Sequence, residues 1–213
     1  MGLVLRRRGQ ISLEFMLVFS IMLIMLLYSV KNVGFDSSSP SSSTLAIQIA
    51  LEEKSVANAI SNTISQVYAQ GPGSKATTYV TLTYLRNPSY LKKGLGIADP
   101  QIFITYGPFN GLGNGTYMGI ISERTAAVYT HGTDKNVVWS SGMYQKVLYS
   151  NSSVWSPKKA VTMESLTVYG LVISPTHLNS TLKIVVEWNP DKGDSWNYNA
   201  TVGELRININ PGG

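Results

Sequence analysis

Sixteen consecutive residues, Phe15 to Val30, carry no charge and consist mostly of Leu, Met and Ile. An uncharged run of this length must be taken out of water, and that limits the fold more than any other feature of the chain. As a helix it spans about 24 Å at about 1.5 Å rise per residue, short of the ~30 Å hydrocarbon core of a bilayer. Ile11 and Leu13 on one side and Val33 on the other bring it to spanning length. Arg6, Arg7 and Arg8 precede it. The positive-inside rule therefore predicts a cytoplasmic N-terminus, with everything beyond Lys31 outside.

Glu14 interrupts this simple picture. A carboxylate in a spanning helix costs on the order of 2.5–3.5 kcal/mol near the bilayer centre, less near its edge, and needs a partner. A secretory signal requires small residues at a cut just after the apolar run. Tyr28-Ser-Val-Lys-Asn-Val-Gly34 is a poor cut site, and a lipid-modified N-terminal cysteine is excluded because the chain has no cysteine. A plain uncleaved anchor accounts for the run but leaves Glu14 unexplained.

Residues 6–15, Arg-Arg-Arg-Gly-Gln-Ile-Ser-Leu-Glu-Phe, resemble the class III signal peptide of type IV pilin precursors. The Gln10-x-Ser12-x-Glu14 pattern is most similar to the archaeal pilin branch. Archaellins share the leader but usually begin with a Gly-rich, Glu-poor helix, unlike this one. The resemblance implies that a prepilin peptidase cuts after Gly9, making Gln10 the first mature residue and Glu14 the fifth. It also implies residence in the cytoplasmic membrane as a precursor, then handling by a pilus assembly platform and its ATPase. The product would be a helical homopolymer, an extracellular filament that contacts surfaces or other cells. Gln10, Glu14 and Phe15 would serve assembly. Cleavage would create an α-amino group on Gln10, with a reference pKa of about 7.7–8.0, able to pair with a neighbour's Glu14. Such a pair is weak evidence for stability but penalises a wrong stagger of helices.

The rest of the chain is less charged than usual. Charged residues make up 14% against roughly 25% in an ordinary soluble domain, and 25 serines and 16 threonines take their place. The absence of cysteine excludes a disulfide framework, a thiol nucleophile and a thiolate metal site. His131 and His177 are the only histidines. Of the net charge of +5, three units come from Arg6 to Arg8. From Gln10 onward 14 basic side chains face 12 acidic ones, so no basic domain remains to hold nucleic acid.

The fold predicted is α+β: an N-terminal apolar helix and an amphipathic helix, followed by an antiparallel, Ig-like β-sandwich. Residues 1–9 form the leader, 10–34 the apolar helix and 35–43 a Ser/Pro linker around Pro40. Ser43 is the expected cap of a second helix over 44–70. There Ile49, Val56, Ile60, Ile64 and Val67 recur at spacings of 7, 4, 4 and 3, one face of an amphipathic helix. Gly71-Pro72-Gly73 ends it. The runs at 51–60 and 67–71 also resemble the helix-to-sheet junction of archaeal pilins. Across 71–213 the period becomes two, as in Val80-Leu82-Tyr84, Ile102-Ile104-Tyr106, Leu182 to Trp188 and Leu205 to Ile209. Further strand-like runs lie at 124–130, 137–139, 143–149 and 161–173, separated by turn residues. That pattern is the basis for the sandwich.

Few clusters offer chemistry. Gly111-Leu-Gly-Asn-Gly115 lacks phosphate-loop spacing and reads as a β-turn loop. Glu187, Asp191 and Asp194 lack EF-hand spacing and read as a charged turn. Glu52 and Glu53 are adjacent on a helix and do not face each other. No catalytic residue, metal site or cofactor is expected, and an extracytoplasmic hydrolase would need a catalytic set that none of these clusters supplies. Four N-x-S/T sequons, at Asn114, Asn151, Asn179 and Asn199, are candidate glycosylation sites beyond the apolar run. The expected function is that of a structural pilin subunit. The alternative is a membrane-anchored, minor pilin-like protein that presents its β-domain to a ligand.

Overall fold

The computed structural model describes residues 15–26, 41–109, 111–132 and 135–213. The chain divides into two compact units, Met1–Pro40 and Ser41–Gly213. In the first unit the described residues 15–26 form a helix, α1, exposed along its whole length. Its one polar side chain, Ser20, donates to the Met16 carbonyl at 2.7 Å, so the hydroxyl is satisfied within its own helix. Phe15 and Phe19 stack with ring centroids 6.2 Å apart. Among the described residues no helix is long and apolar enough to cross a membrane. The expected 10–34 helix extends past α1 at both ends, outside the described residues.

The second unit opens with α2 (Ser42–Gln70). Ser41, not Ser43, is its cap: the Ser41 hydroxyl accepts the Thr44 N–H at 3.3 Å and its carbonyl accepts the Leu45 N–H at 3.0 Å. Ser41 is extended (φ −59°, ψ 155°), as an N-cap residue should be, which leaves Ser43 inside the first turn. Gly71 ends the helix at φ 88°, a left-handed value natural only to glycine. The stripe Ile49, Val56, Ile60, Ile64 and Val67 is fully buried, each side chain contributing roughly 1.5–3 kcal/mol of apolar burial.

Among the described residues eleven strands follow, in two sheets. The first sheet contains β1 (Lys75–Thr81), β6 (Trp155–Ser156), β9 (Thr181–Trp188), β10 (Ser195–Asn199) and β11 (Glu204–Ile209). Their order is β1-β9-β11-β10-β6. The second sheet contains β2 (Pro100–Tyr106), β3 (Gly115–Ser122), β4 (Ala127–Val128), β5 (Val137–Ser141), β7 (Lys158–Met163) and β8 (Leu166–Ile173). Its order is β4-β7-β8-β2-β3-β5. The unit is therefore mostly β, with helices.

The pairing is not purely antiparallel. The β9·β11, β6·β10 and β4·β7 pairs are parallel. After β9 the chain crosses to β10, and the β10–β11 hairpin folds back so that β11 slots in beside β9. Glu204 thereby lies opposite Lys183 in register, and their side chains form an ion pair at 2.8 Å.

One apolar core joins α2 to both sheets, through side chains such as Ile104, Leu171, Ile184, Trp196 and Ile207. A second cluster around Phe103, Tyr117 and Val168 covers the other face of the second sheet. Its central strands β2 and β3 are thus buried on both sides. Where the chain must approach closely it uses glycine: a Cβ on Gly115 would stand 2.0 Å from the Ser140 carbonyl oxygen of β5.

Three expected strand runs differ. The Val80-Leu82-Tyr84 alternation stops being a strand after Thr81, because the Glu52 carboxylate draws this turn onto α2. It accepts the Thr83 N–H, the Tyr84 N–H at 2.7 Å and the Leu85 N–H at 3.1 Å. A short helix, α3 (Pro88–Leu95), follows, capped by Asn87. Over 143–149 no strand forms; Tyr144 and Leu148 fill the core, and the backbone meets β8 only at its end, where the Tyr149 carbonyl accepts the Tyr169 N–H at 3.2 Å. Over 124–130 only the two residues of β4 are strand.

Candidate functional surfaces

Of the residues expected to serve processing and assembly, Gly9, Gln10 and Glu14 lie outside the described residues. Phe15 opens the described part of α1 and is 69% exposed. The exposed surface of α1 includes Phe15, Met16, Phe19, Met22 and Leu26, and its one side-chain hydroxyl, Ser20, is already satisfied within the helix. It can pack against other apolar helices or lipid.

The four sequon asparagines differ in setting. Asn151, Asn179 and Asn199 are exposed. Asn151 Oδ1 accepts the Ser153 N–H at 3.0 Å, and Asn199 Oδ1 accepts the Thr201 N–H at 3.0 Å. These are Asx turns that present the asparagine at a loop tip. Asn114 is half-buried, its amide donates to Gln145 Oε1, and the hydroxyl residue of its sequon, Thr116, is fully buried. An enzyme reaching the folded protein would therefore meet three accessible sequons and one that is closed.

Two carboxylates of the acidic turn at 187–194, Glu187 and Asp194, are engaged by cations and donors of the same unit. Glu187 lies 3.8 Å from Lys75 and 4.0 Å from Lys192. Asp194 accepts from the Tyr144 hydroxyl and from the Asn210 N–H at 3.0 Å, and pairs with Lys146 at 2.7 Å. Lys146 also donates to the Asn210 carbonyl at 3.0 Å, so this cluster ties the 143–149 segment to the end of β11. Among the described residues no group of three His, Cys, Asp or Glu side chains is placed to hold a metal ion. His131 Nδ1 stands 2.7 Å from the Thr130 hydroxyl. The His177 carbonyl accepts the Tyr198 hydroxyl at 2.6 Å.

The adjacent glutamates of α2 have opposite surroundings. Glu52 is fully engaged by the backbone amides after β1. Glu53 is 6% exposed, and its buried Oε1 has no hydrogen-bond partner. It lines a groove of about 450 Å³ with Ala46, Ala50, Leu95, Ile120 and Val137 among its walls. Burial pushes its carboxyl up to about 8 from a usual 4.5. Reading the glutamates only as a pair hid this. The available signal was position: Glu53 is four residues after Ile49 and three before Val56, on the stripe that faces the core.

No protein family, curated protein or solved structure matches the chain, so the case for a function rests on its own residues.

Proposed function

We propose that the chain is the structural subunit of an archaeal type IV adhesion pilus, polymerising through its N-terminal apolar helix with the β-rich unit as the outer shell. The observation that carries this reading is the run Arg6-Arg-Arg-Gly-Gln-Ile-Ser-Leu-Glu-Phe15 directly ahead of an uncharged apolar segment. The division at Pro40 supports it: a helix for burial and a unit with its own core are the two parts such a subunit needs. The two sheets, packed through a shared core, are compatible with the sandwich domain of that reading. The exposed Asn151, Asn179 and Asn199 suit a glycosylated shell.

The test is the mature N-terminus. Protein from sheared surface filaments is expected to begin at Gln10, and Gly9→Val is expected to leave uncut precursor in the membrane. A chain that begins at Met1 or beyond Val30 overturns the assignment. The second reading, an anchored minor pilin-like binding protein, is favoured by one observation, the open groove at Glu53. It predicts processed chain confined to membranes, with no filament carrying it.

A further inference from the structure

The groove beside α2 combines an uncompensated acid with apolar walls. Among the described residues of the Ser41–Gly213 unit two charged side chains are buried, Glu53 and Glu204. Glu204 is paired with Lys183 at 2.8 Å and Arg206 at 2.9 Å. Glu53 has neither a cation nor a donor on Oε1. Buried polar atoms are nearly always satisfied; Asn114 Oδ1 and the indole nitrogens of Trp155 and Trp196 also lack a partner, but Glu53 alone of the four is an acid and alone lines this groove. The groove has room for one: about 450 Å³ is many times the roughly 30 Å³ share of one water and within the ~300–1,000 Å³ of ligand sites.

The walls fix the kind of ligand. Ala46 and Ala50, both small, leave space beside α2, while Leu95, Ile97, Ile120 and Val137 supply apolar surface. A ligand that fills the groove and also meets Glu53 therefore carries its donor on an aliphatic stem. Lys135 is the other ionisable residue of the lining. It is exposed and forms no ion pair with Glu53, so it marks the outer rim rather than neutralising the inner acid. A lysyl residue matches both ends: an ammonium, four methylenes, then peptide carbonyls that Lys135 Nζ can donate to. A free alkylamine matches only the inner end.

We propose that this groove binds a lysine side chain of a partner polypeptide, with Glu53 taking the ammonium, the apolar walls the methylenes, and Lys135 the backbone carbonyls. The groove is lined wholly by residues of the Ser41–Gly213 unit and does not rest on the pilin reading. Binding a cation requires ionised Glu53, and the ionised fraction falls tenfold per pH unit below its pKa of about 8. Affinity for an ammonium should then rise with pH up to about 8 and stay level until the amine itself titrates near 10.4.

Full-length chain in detergent micelles allows the test, with the Glu53 side-chain carboxyl ¹³C signal identified by its loss in Glu53→Gln. Titration with Nα-acetyl-lysine-N-methylamide is expected to shift that signal saturably toward the ionised position. Affinity should be about tenfold higher at pH 7 than at pH 6. The norleucine analogue, with the same stem and no ammonium, should bind at least tenfold more weakly. Glu53→Gln, followed through backbone amide shifts of the groove, should lose a similar factor for the lysine derivative only. Ala50→Leu, which fills the groove and leaves Glu53 in place, should abolish binding of both. Equal binding of the lysine and norleucine derivatives, or unchanged binding in Glu53→Gln, overturns the role of Glu53. n-Butylammonium binding as tightly as the lysine derivative overturns the polypeptide as its source.

Discussion

Two buried glutamates show how local pairing decides what an acid contributes to stability. The Lys183 ammonium and Arg206 guanidinium beside Glu204 hold its carboxyl below the usual range, so it supports the fold when ionised. Glu53 has no such neighbour, and desolvation alone raises it to about 8. In the unfolded chain Glu53 ionises near its ordinary 4.5, whereas in the folded chain it holds its proton until about pH 8. Between those values the folded state binds more protons, so stability falls as pH rises from about 4.5 to about 8 and then levels. A shift of this size corresponds to on the order of 3–5 kcal/mol at full ionisation. Glu53→Gln cannot ionise. Chemical denaturation at pH 5, 6.5 and 8 should show the mutant gaining on the wild type at each step, by at least 2 kcal/mol in all. Parallel pH profiles would mean that Glu53 is charged and compensated in the folded protein.

At the scale of elements, the buried hydroxyl of Ser61 adds a polar tie between α2 and the second sheet to their shared apolar core. Ser61 is fully buried, 2.8 Å from the Ser140 carbonyl of β5 and 2.9 Å from Thr116 Oγ1 of β3, and it accepts the Thr116 N–H at 3.2 Å. Removing it leaves the Thr116 N–H and the Ser140 carbonyl without this partner, so Ser61→Ala should cost about 1–3 kcal/mol in equilibrium unfolding. Ser65, one turn later at the surface, accepts the Met143 N–H at 3.0 Å, but water can replace it. Ser65→Ala should stay within about 0.5 kcal/mol of wild type. The helix itself was legible, because its apolar spacing is set by burial and Gly71 stops it. Its start was not, since Ser41, Ser42 and Ser43 are equivalent as residues and only the backbone geometry after Pro40 selects one. α3 was missed because eight residues carry no readable period, although Asn87-Pro88 and Gly96 are an ordinary start and stop. Strands with a two-residue period were legible where a sheet partner exists. Val80-Leu82-Tyr84 was misread because Glu52, 31 to 33 residues earlier in the sequence, captures the backbone amides. The Glu53 groove was half legible: the position on the stripe is in the sequence. The empty space beside it depends on Ala46 and Ala50 meeting residues from β3 and β5, which no local pattern encodes.

At the scale of the whole molecule the chain is two units that differ in how their apolar side chains are covered. The unit Ser41–Gly213 buries its apolar side chains within itself, whereas α1 exposes every one of its residues. At about 25 cal/mol per Å² of apolar area, burying that exposed helix is favourable against any apolar surface, and this term selects no particular stagger. Under the proposed pilin reading, Glu14 supplies the selection, because a carboxylate left unpaired among apolar helices penalises every register except the one that brings it a cation. Glu14→Gln removes the charge and keeps the shape. It should be cut after Gly9 and retained in the membrane as well as wild type or better, since the amide is cheaper to bury. Filament number should nevertheless fall to few or none, because removing one partner of a buried pair costs about 3–5 kcal/mol per subunit contact. Glu14→Ala should behave alike, and Glu14→Asp, which keeps the charge on a shorter arm, should assemble partially. A plain anchor predicts instead that all three variants match wild type in surface display. Electron microscopy of sheared filaments beside N-terminal sequencing of the membrane pool separates the two. Filaments of normal number and length from Glu14→Gln would leave apolar packing of the helices as the sole source of assembly energy and remove Glu14 from the assembly mechanism.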